Sequence, residues 1–367
     1  MKVESISIQN FKLFDDLQVS FKNKTLQEVS NRYLVLGDNG KGKTTLLQAI
    51  ALPLAIATQQ IRNVTEFDWI GFVPGRYLRW GPPQIELVVS FTSAEIDATR
   101  EVADRWRHSQ SDAFWLSHTF TPPGGSHTVR LVLDGESCRA DTAAEYFQFP
   151  GRYYALQLLK TDPTARDLFP QLPGFFWFDQ FRNLGSNPYS DGNGDGQRET
   201  SGRLSYDLGV GQLRKYLNGW KLGQLSRAQP YRIDFLMELE NLYKKIFPGR
   251  SFFSVEPMPN IDSPTPDEYY FLLSDGHRTY DIVEMSAGEQ AVFPILYEFV
   301  RKQIAYSVVL IDEIDLNLHP PVAQLLVGQL TKIGPTCQFI LTTHSDAVSN
   351  LIGEDETIRL AGGSLCL

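Results

Sequence analysis

The octapeptide GDNGKGKT (37–44), set between the apolar run YLVL and the long apolar stretch TLLQAIALPLAIATQQ, constrains this chain more than any other segment. It matches the pattern G-x-x-x-x-G-K-[ST], with a strand signal before it and a helix signal after it. The spacing has a physical reason. Gly37, Gly40 and Gly42 allow successive backbone N–H groups, including those of Asn39 and Lys41, to turn toward one centre. Lys43 then reaches the β- and γ-phosphates of a nucleotide, and Thr44 offers a hydroxyl to Mg²⁺, with Thr45 next to it at the start of the helix. The positive end of that helix adds to the attraction. The plain alternative is a Gly-rich turn that binds nothing. Pro53, inside the apolar stretch, is expected to kink the helix.

A phosphate loop of this type needs a carboxylate at the end of a neighbouring buried strand, where it can hold the water shell of the metal. SVVLIDE (307–313) provides it, because Val308 to Ile311 read as a central parallel strand and Asp312 and Glu313 stand at its carboxyl end. Asp312 is the candidate for the metal and Glu313 the candidate to polarise an attacking water. QFILTT runs into His344, placed to hydrogen-bond a γ-phosphate or that water. Gln180, closing FFWFDQ, is the candidate to link magnesium and water to a neighbouring subdomain. Each has an ordinary reading beside it: an exposed acidic turn, a structural histidine, a polar strand end.

EMSAGEQ (284–290) precedes the apolar run AVFPILYEFV. Ser286 and Glu289 have capping-box spacing, which alone says only that a helix starts there. A capped N-terminus with Gly288 beside it is also a ready anion site. In this order (P-loop, strand-end glutamine, SAGEQ, an apolar strand ending in Asp-Glu, strand-end histidine) the chain resembles the ABC-type ATPase head. ISIQNFKLF (6–14) and DEIDLNLHP (312–320) are similar to the RecF, SMC and overcoming-lysogenization-defect branch rather than to transporter heads, which typically read DEPTSALD and LSGGQ. The likeness is good over roughly 1–95 and 250–367 and weak between them.

That resemblance implies an α/β P-loop NTPase of ABC-ATPase type, with a mixed central sheet flanked by helices, an N-terminal antiparallel β subdomain and a helical insertion. It implies ATP and Mg²⁺ as ligands, and a head-to-tail homodimer in which Ser286 and Gly288 of one copy face the nucleotide held by the other. The expected segments are 1–184, the P-loop part of the head; 185–250, a loop and helical insertion; and 251–367, which carries the signature, the acidic strand and His344. With 23 residues after His344, a head without a TOPRIM nuclease is expected. By analogy with Septu-like systems, the resemblance implies anti-phage defence or DNA repair, and a second protein, a nuclease or other toxin, as effector.

Composition limits the remaining choices. Over 367 residues, 42% hydrophobic and 12% aromatic content argue for a folded chain, and a net charge of -9 argues against one that coats nucleic acid through global basicity. Cys138, Cys337 and Cys366 form no CxxC pair and are odd in number, which suggests neither zinc site nor disulfide framework and fits a reducing, cytoplasmic setting. No apolar stretch of about 20 residues suggests a membrane span. The region 203–250 reads as two helices, with nine Lys or Arg against four Asp or Glu. Its Tyr216, Trp220, Tyr231 and Tyr243 could stack on DNA or RNA, or could simply be core. The polar segment 185–202 reads as a mobile loop. His108, His118, His127 and His277 are scattered without metal-ligand spacing, so no second catalytic centre is visible. A transporter motor subunit remains the alternative function; a small-molecule kinase would leave SAGEQ and His344 without a role.

Overall fold

Rows of apolar residues aligned across the pleat build the first sheet of the computed structural model, which describes residues 1–111, 114, 117, 119–180, 206–225, 234–259 and 261–360. Strands β1 (Lys2–Phe11), β2 (Phe14–Ser20), β4 (Gln84–Ser90), β5 (Thr128–Asp134) and β6 (Ser137–Ala140) pair antiparallel in the order β2-β1-β4-β5-β6. The register aligns Leu17, Ile8, Ile85 and Leu133 in one row and Val19, Ile6, Leu87 and Leu131 in the next, all buried. Every second side chain therefore faces one core. Between the apolar runs of Val3, Ile6 and Ile8 and of Leu17, Val19 and Phe21, the polar pair Asp15-Asp16 reads in sequence as the first turn. The chain instead turns at Lys12-Leu13, and the two aspartates lie exposed inside β2.

The second sheet is wholly parallel. It orders β13 (Thr357–Arg359), β3 (Arg32–Leu36), β12 (Gln338–Thr342), β11 (Ser307–Ile311) and β7 (Gly174–Phe178) as β13-β3-β12-β11-β7. All five residues of β11 and of β12 are buried, as expected of strands with apolar centres (VVLI and FIL) covered on both faces. In the first two sheets the mixed α/β character is thus divided between one antiparallel and one parallel sheet. Helix α1 (Lys43–Ala57) follows β3 and is buried along its length except at Thr44. Its side chains share a single core with both sheets, which explains why TLLQAIALPLAIA is apolar all round instead of striped. The helix continues through Pro53.

The strand that carries Asp312 is fixed at its other end by Arg152 of α3 (Gly151–Leu158), which packs with α2 (Ser93–Ser109) in a small core of its own. Arg152 donates to the carbonyls of Lys302 (2.7 Å) and Gln303 (2.9 Å), just before β11, and to that of Phe169 (3.1 Å). Burial with no carboxylate partner among these contacts lowers its pKa to about 10.

The chain forms two compact units, one of Met1–Gln180, Lys302–Asp315 and Leu330–Leu367, the other of Phe181–Arg301 and Leu316–Gln329. The three consecutive segments expected from sequence do not coincide with them. In the second unit, α4 (Tyr206–Leu225), α5 (Phe235–Ile246) and α6 (Ala287–Arg301) accompany a three-stranded antiparallel sheet of β8 (Ser251–Pro257), β9 (Tyr269–Ser274) and β10 (Thr279–Asp281). Phe235, Leu236, Leu239, Tyr243 and Ile246 give α5 one buried face. Among the aromatics considered for nucleic acid, Tyr243 is fully buried and half-buried Trp220 stacks on Tyr297. Only Tyr216 of those described is exposed, and Arg301 lies over its ring. Tyr231, His118 and the 185–202 segment lie outside the described residues. Among the described residues no helix is long and apolar enough to cross a membrane.

Candidate nucleotide site

The carboxyl ends of β3, β12, β11 and β7 lie on one edge of the parallel sheet, where ligands of open α/β sheets bind. β3 runs straight into the glycine-rich loop, whose tip, Asp38 to Gly40, is exposed. Gly42 precedes α1 with φ at +95°, in the left-handed region, and a Cβ there would stand 2.7 Å from the ring of Phe14. Both the backbone and the neighbouring hairpin therefore require glycine. Gly42→Ala is expected to cost about 2–4 kcal/mol, adding backbone strain to a clash with an aromatic ring, and to lower the melting temperature. Adding Phe14→Ala should recover part of that loss in a thermal melt, because it removes the clash and not the strain.

Lys43 is buried, and its ammonium donates to the loop's own carbonyls, Gly37 O at 2.7 Å and Asp38 O at 3.2 Å. Burial lowers its pKa, against the opposing pull of Asp312, Glu313, Asp38 and Asp315. Its Nζ lies 3.5 Å from Nδ1 of His344. An ammonium can only donate, so a hydrogen bond between the two is accepted by Nδ1.

Thr44 Oγ1 donates to Asp312 Oδ2 at 2.8 Å, and Thr342 Oγ1 donates to Asp312 Oδ1 at 2.6 Å. The acidic strand is not the neighbour of β3 that sequence suggested, because β12 lies between them. Contact is made across β12, with Thr44 of the first turn of α1 bonding one oxygen of Asp312 and Thr342 the other. A hydroxyl and a carboxylate oxygen are the hard donors that Mg²⁺ accepts beside phosphate and water, so these residues fit the group. Glu313 has φ at +49°, a conformation that non-glycine residues rarely adopt, and its backbone N–H donates to Thr342 Oγ1 at 2.7 Å. The left-handed turn breaks strand geometry directly after Asp312. The same hydroxyl thus holds both acidic residues in place, accepting from one and donating to the other.

Thr342 was not foreseen, nor was the hydrogen bond from Thr343 Oγ1 to Asp315 that fixes the backbone just before His344. The signal available was the TT dipeptide, polar residues interrupting an apolar strand at its functional end. Gln180 is half-buried two residues past β7, the strand next to β11. Ser286 and Gly288 stand in the second unit. Ser286 caps α6 as its spacing implied, accepting from Glu289 N at 3.3 Å while Glu289 Oε2 accepts from Ser286 N at 2.9 Å.

A P-loop facing a strand-end aspartate across one intervening strand defines a nucleotide-binding α/β head, and two family models for ATPase domains match the chain. Residues 1–114 match the family model "AAA ATPase domain", and residues 195–350 match "AAA domain, putative AbiEii toxin, Type IV TA system". The chain is 23% identical to "Retron Vc95 probable ATPase" of Vibrio cholerae serotype O1 biovar El Tor, over 97% of this chain and 73% of that protein. It is 23% identical to "Septu protein PtuA" of Bacillus mycoides (strain KBAB4), over 94% of this chain but 38% of that protein. Among solved structures, the SMC head bound to the C-winged helix domain of ScpA aligns with a TM-score of 0.48 at 13% identity, covering 97% of this chain and 93% of that one. Over these two stretches the chain is similar to AAA-type ATPase domains, and over nearly its whole length it is similar to the retron and Septu proteins.

Proposed function

We propose that this chain binds ATP with Mg²⁺ and hydrolyses it between two copies arranged head to tail, as a switch that controls a second protein. The observation that carries the reading is the hydrogen bond between Thr44 and Asp312, which joins the phosphate loop to the acidic strand. Backbone N–H groups of Gly37, Asn39, Gly40, Lys41 and Gly42 cradle the phosphates, with Thr45 behind them, and Lys43 turns from its own carbonyls to the β- and γ-oxygens. Thr44, Asp312 and Gln180 would hold the metal, which would supply charge neutralisation at the transferred group. Glu313 orients the attacking water and accepts its proton. His344 donates from Nε2 to the γ-phosphate. Ser286 and Gly288 of the second copy close the site from the opposite side.

On this reading the output is a partner effector, a nuclease or other toxin, in anti-phage defence or DNA repair, with contact to DNA or RNA open. The likeness to retron and Septu proteins supports it. Turnover per chain should rise with protein concentration in the dilute range, since two copies form each site, and should stop on chelation of divalent metal. Turnover per chain that is independent of concentration would overturn the two-copy arrangement. The purified chain should not cleave nucleic acid, while co-expression with its gene neighbours should confer that activity or phage resistance.

A further inference from the structure

The carboxylate that caps the signature helix is not an ordinary capping residue. Glu289 is only 3% exposed, where the third residue of a capped helix normally faces water. Its Oε2 accepts from Ser286 N and from Ser286 Oγ at 2.7 Å. Its Oε1 accepts from the hydroxyls of Tyr243, in α5, and of Tyr280, in β10, with Arg250 Nε 3.4 Å away. Burial alone would raise the pKa of Glu289, but these hydrogen bonds outweigh it and hold it below the usual carboxylate range. A buried anion of this type depends on its donors.

On the other flank of the signature the arrangement repeats with different residues. Asp281, also buried, caps the short turn that leads into Met285 and accepts from Val283 N at 3.1 Å and Phe271 N at 3.0 Å. Arg214 of α4 pairs with the same carboxylate. Each helix of the insertion therefore sends one side chain to one of the two buried carboxylates that bracket Ser286 and Gly288. Tyr243 is fully buried and Arg214 is largely so, which leaves neither free to reach elsewhere.

We propose that Tyr243 and Arg214 are positioning residues for the signature: through Glu289 and Asp281 they hold Ser286 and Gly288 in the geometry the second copy's nucleotide meets, and so set how readily two copies close on ATP. The inference rests on the two-copy reading above. It differs from a bare structural role because Ser286 shares its hydroxyl with Glu289. Without the Tyr243 hydroxyl, the carboxylate loses a donor and recruits the serine hydroxyl more strongly, withdrawing it from the phosphate.

The test uses the full chain, wild type against Tyr243→Phe and Arg214→Lys, with Tyr280→Phe as a milder change at the same carboxylate should Tyr243→Phe not fold. Two quantities are read: affinity of dilute single chains for a fluorescent ATP analogue, and the protein concentration at which turnover per chain reaches half its maximum. The expected result is a shift of that midpoint upward by about tenfold, with single-chain affinity within about twofold of wild type. Folded variants with an unchanged midpoint would overturn the proposal, and so would an equal loss in single-chain affinity. If wild type shows no dependence on concentration, the two-copy reading itself has failed, which is seen before any variant is compared.

Discussion

Lys43→Ala should lower ATP affinity at least about a hundredfold, to the point where calorimetry detects no binding at micromolar protein. Two losses combine. The substitution deletes the charge directed at the phosphates, and it removes the ammonium that bridges the carbonyls of Gly37 and Asp38, so the loop loses its internal brace as well. The surroundings sharpen the effect, since Asp312, Glu313, Asp38 and Asp315 all act on this one ammonium. Without it, an incoming polyphosphate meets these four carboxylates without the ammonium on which all of them act. The fold should survive, because α1 is anchored by its apolar residues in the common core and not by Lys43. Undiminished affinity in a folded Lys43→Ala variant would show that the phosphate-loop assignment is wrong.

Much of this site could be read in advance because its determinants are local. The strand, the glycine spacing and the apolar helix are adjacent in sequence, and the apolar stretches VVLI and FIL announce buried strands. What sequence missed depends on pairing. Nothing in the order of motifs says that β12 inserts between β3 and β11, so the role of Thr342 as the shared partner of Asp312 and Glu313 was invisible. The first turn was misplaced because two consecutive aspartates look like a turn, while Phe14 is needed as a strand residue packing on Gly42. EMSAGEQ gave the capping box but not the burial of Glu289, since Tyr243 lies 46 positions away. Of the aromatics in the basic region, Tyr243 and Trp220 pack within their own unit, which leaves nucleic-acid contact there resting on less than composition suggested.

Glu313→Gln should leave ATP bound and slow its hydrolysis by about 10²–10⁴, the range expected when a positioned proton acceptor becomes an amide of the same shape. The geometry explains why binding should persist. Glu313 is held by its backbone, through φ at +49° and the hydrogen bond from its N–H to Thr342, so the amide side chain occupies the same place without disturbing Asp312 or Thr44. With chemistry blocked, the two-copy state should accumulate, and light scattering after size exclusion should report twice the single-chain mass with ATP and Mg²⁺ and the single-chain mass without them. Ser286→Arg tests the other half of the same site. Ser286 is exposed at the start of α6, so a long cationic side chain is tolerated by the fold but projects into the space that closure must empty, next to a metal of like charge. The double variant, Glu313→Gln with Ser286→Arg, should therefore bind ATP at the phosphate loop and remain a single chain. An unchanged mass for Glu313→Gln with and without ATP would sink the two-copy mechanism, and a doubled mass for the double variant would move the signature residues out of the interface.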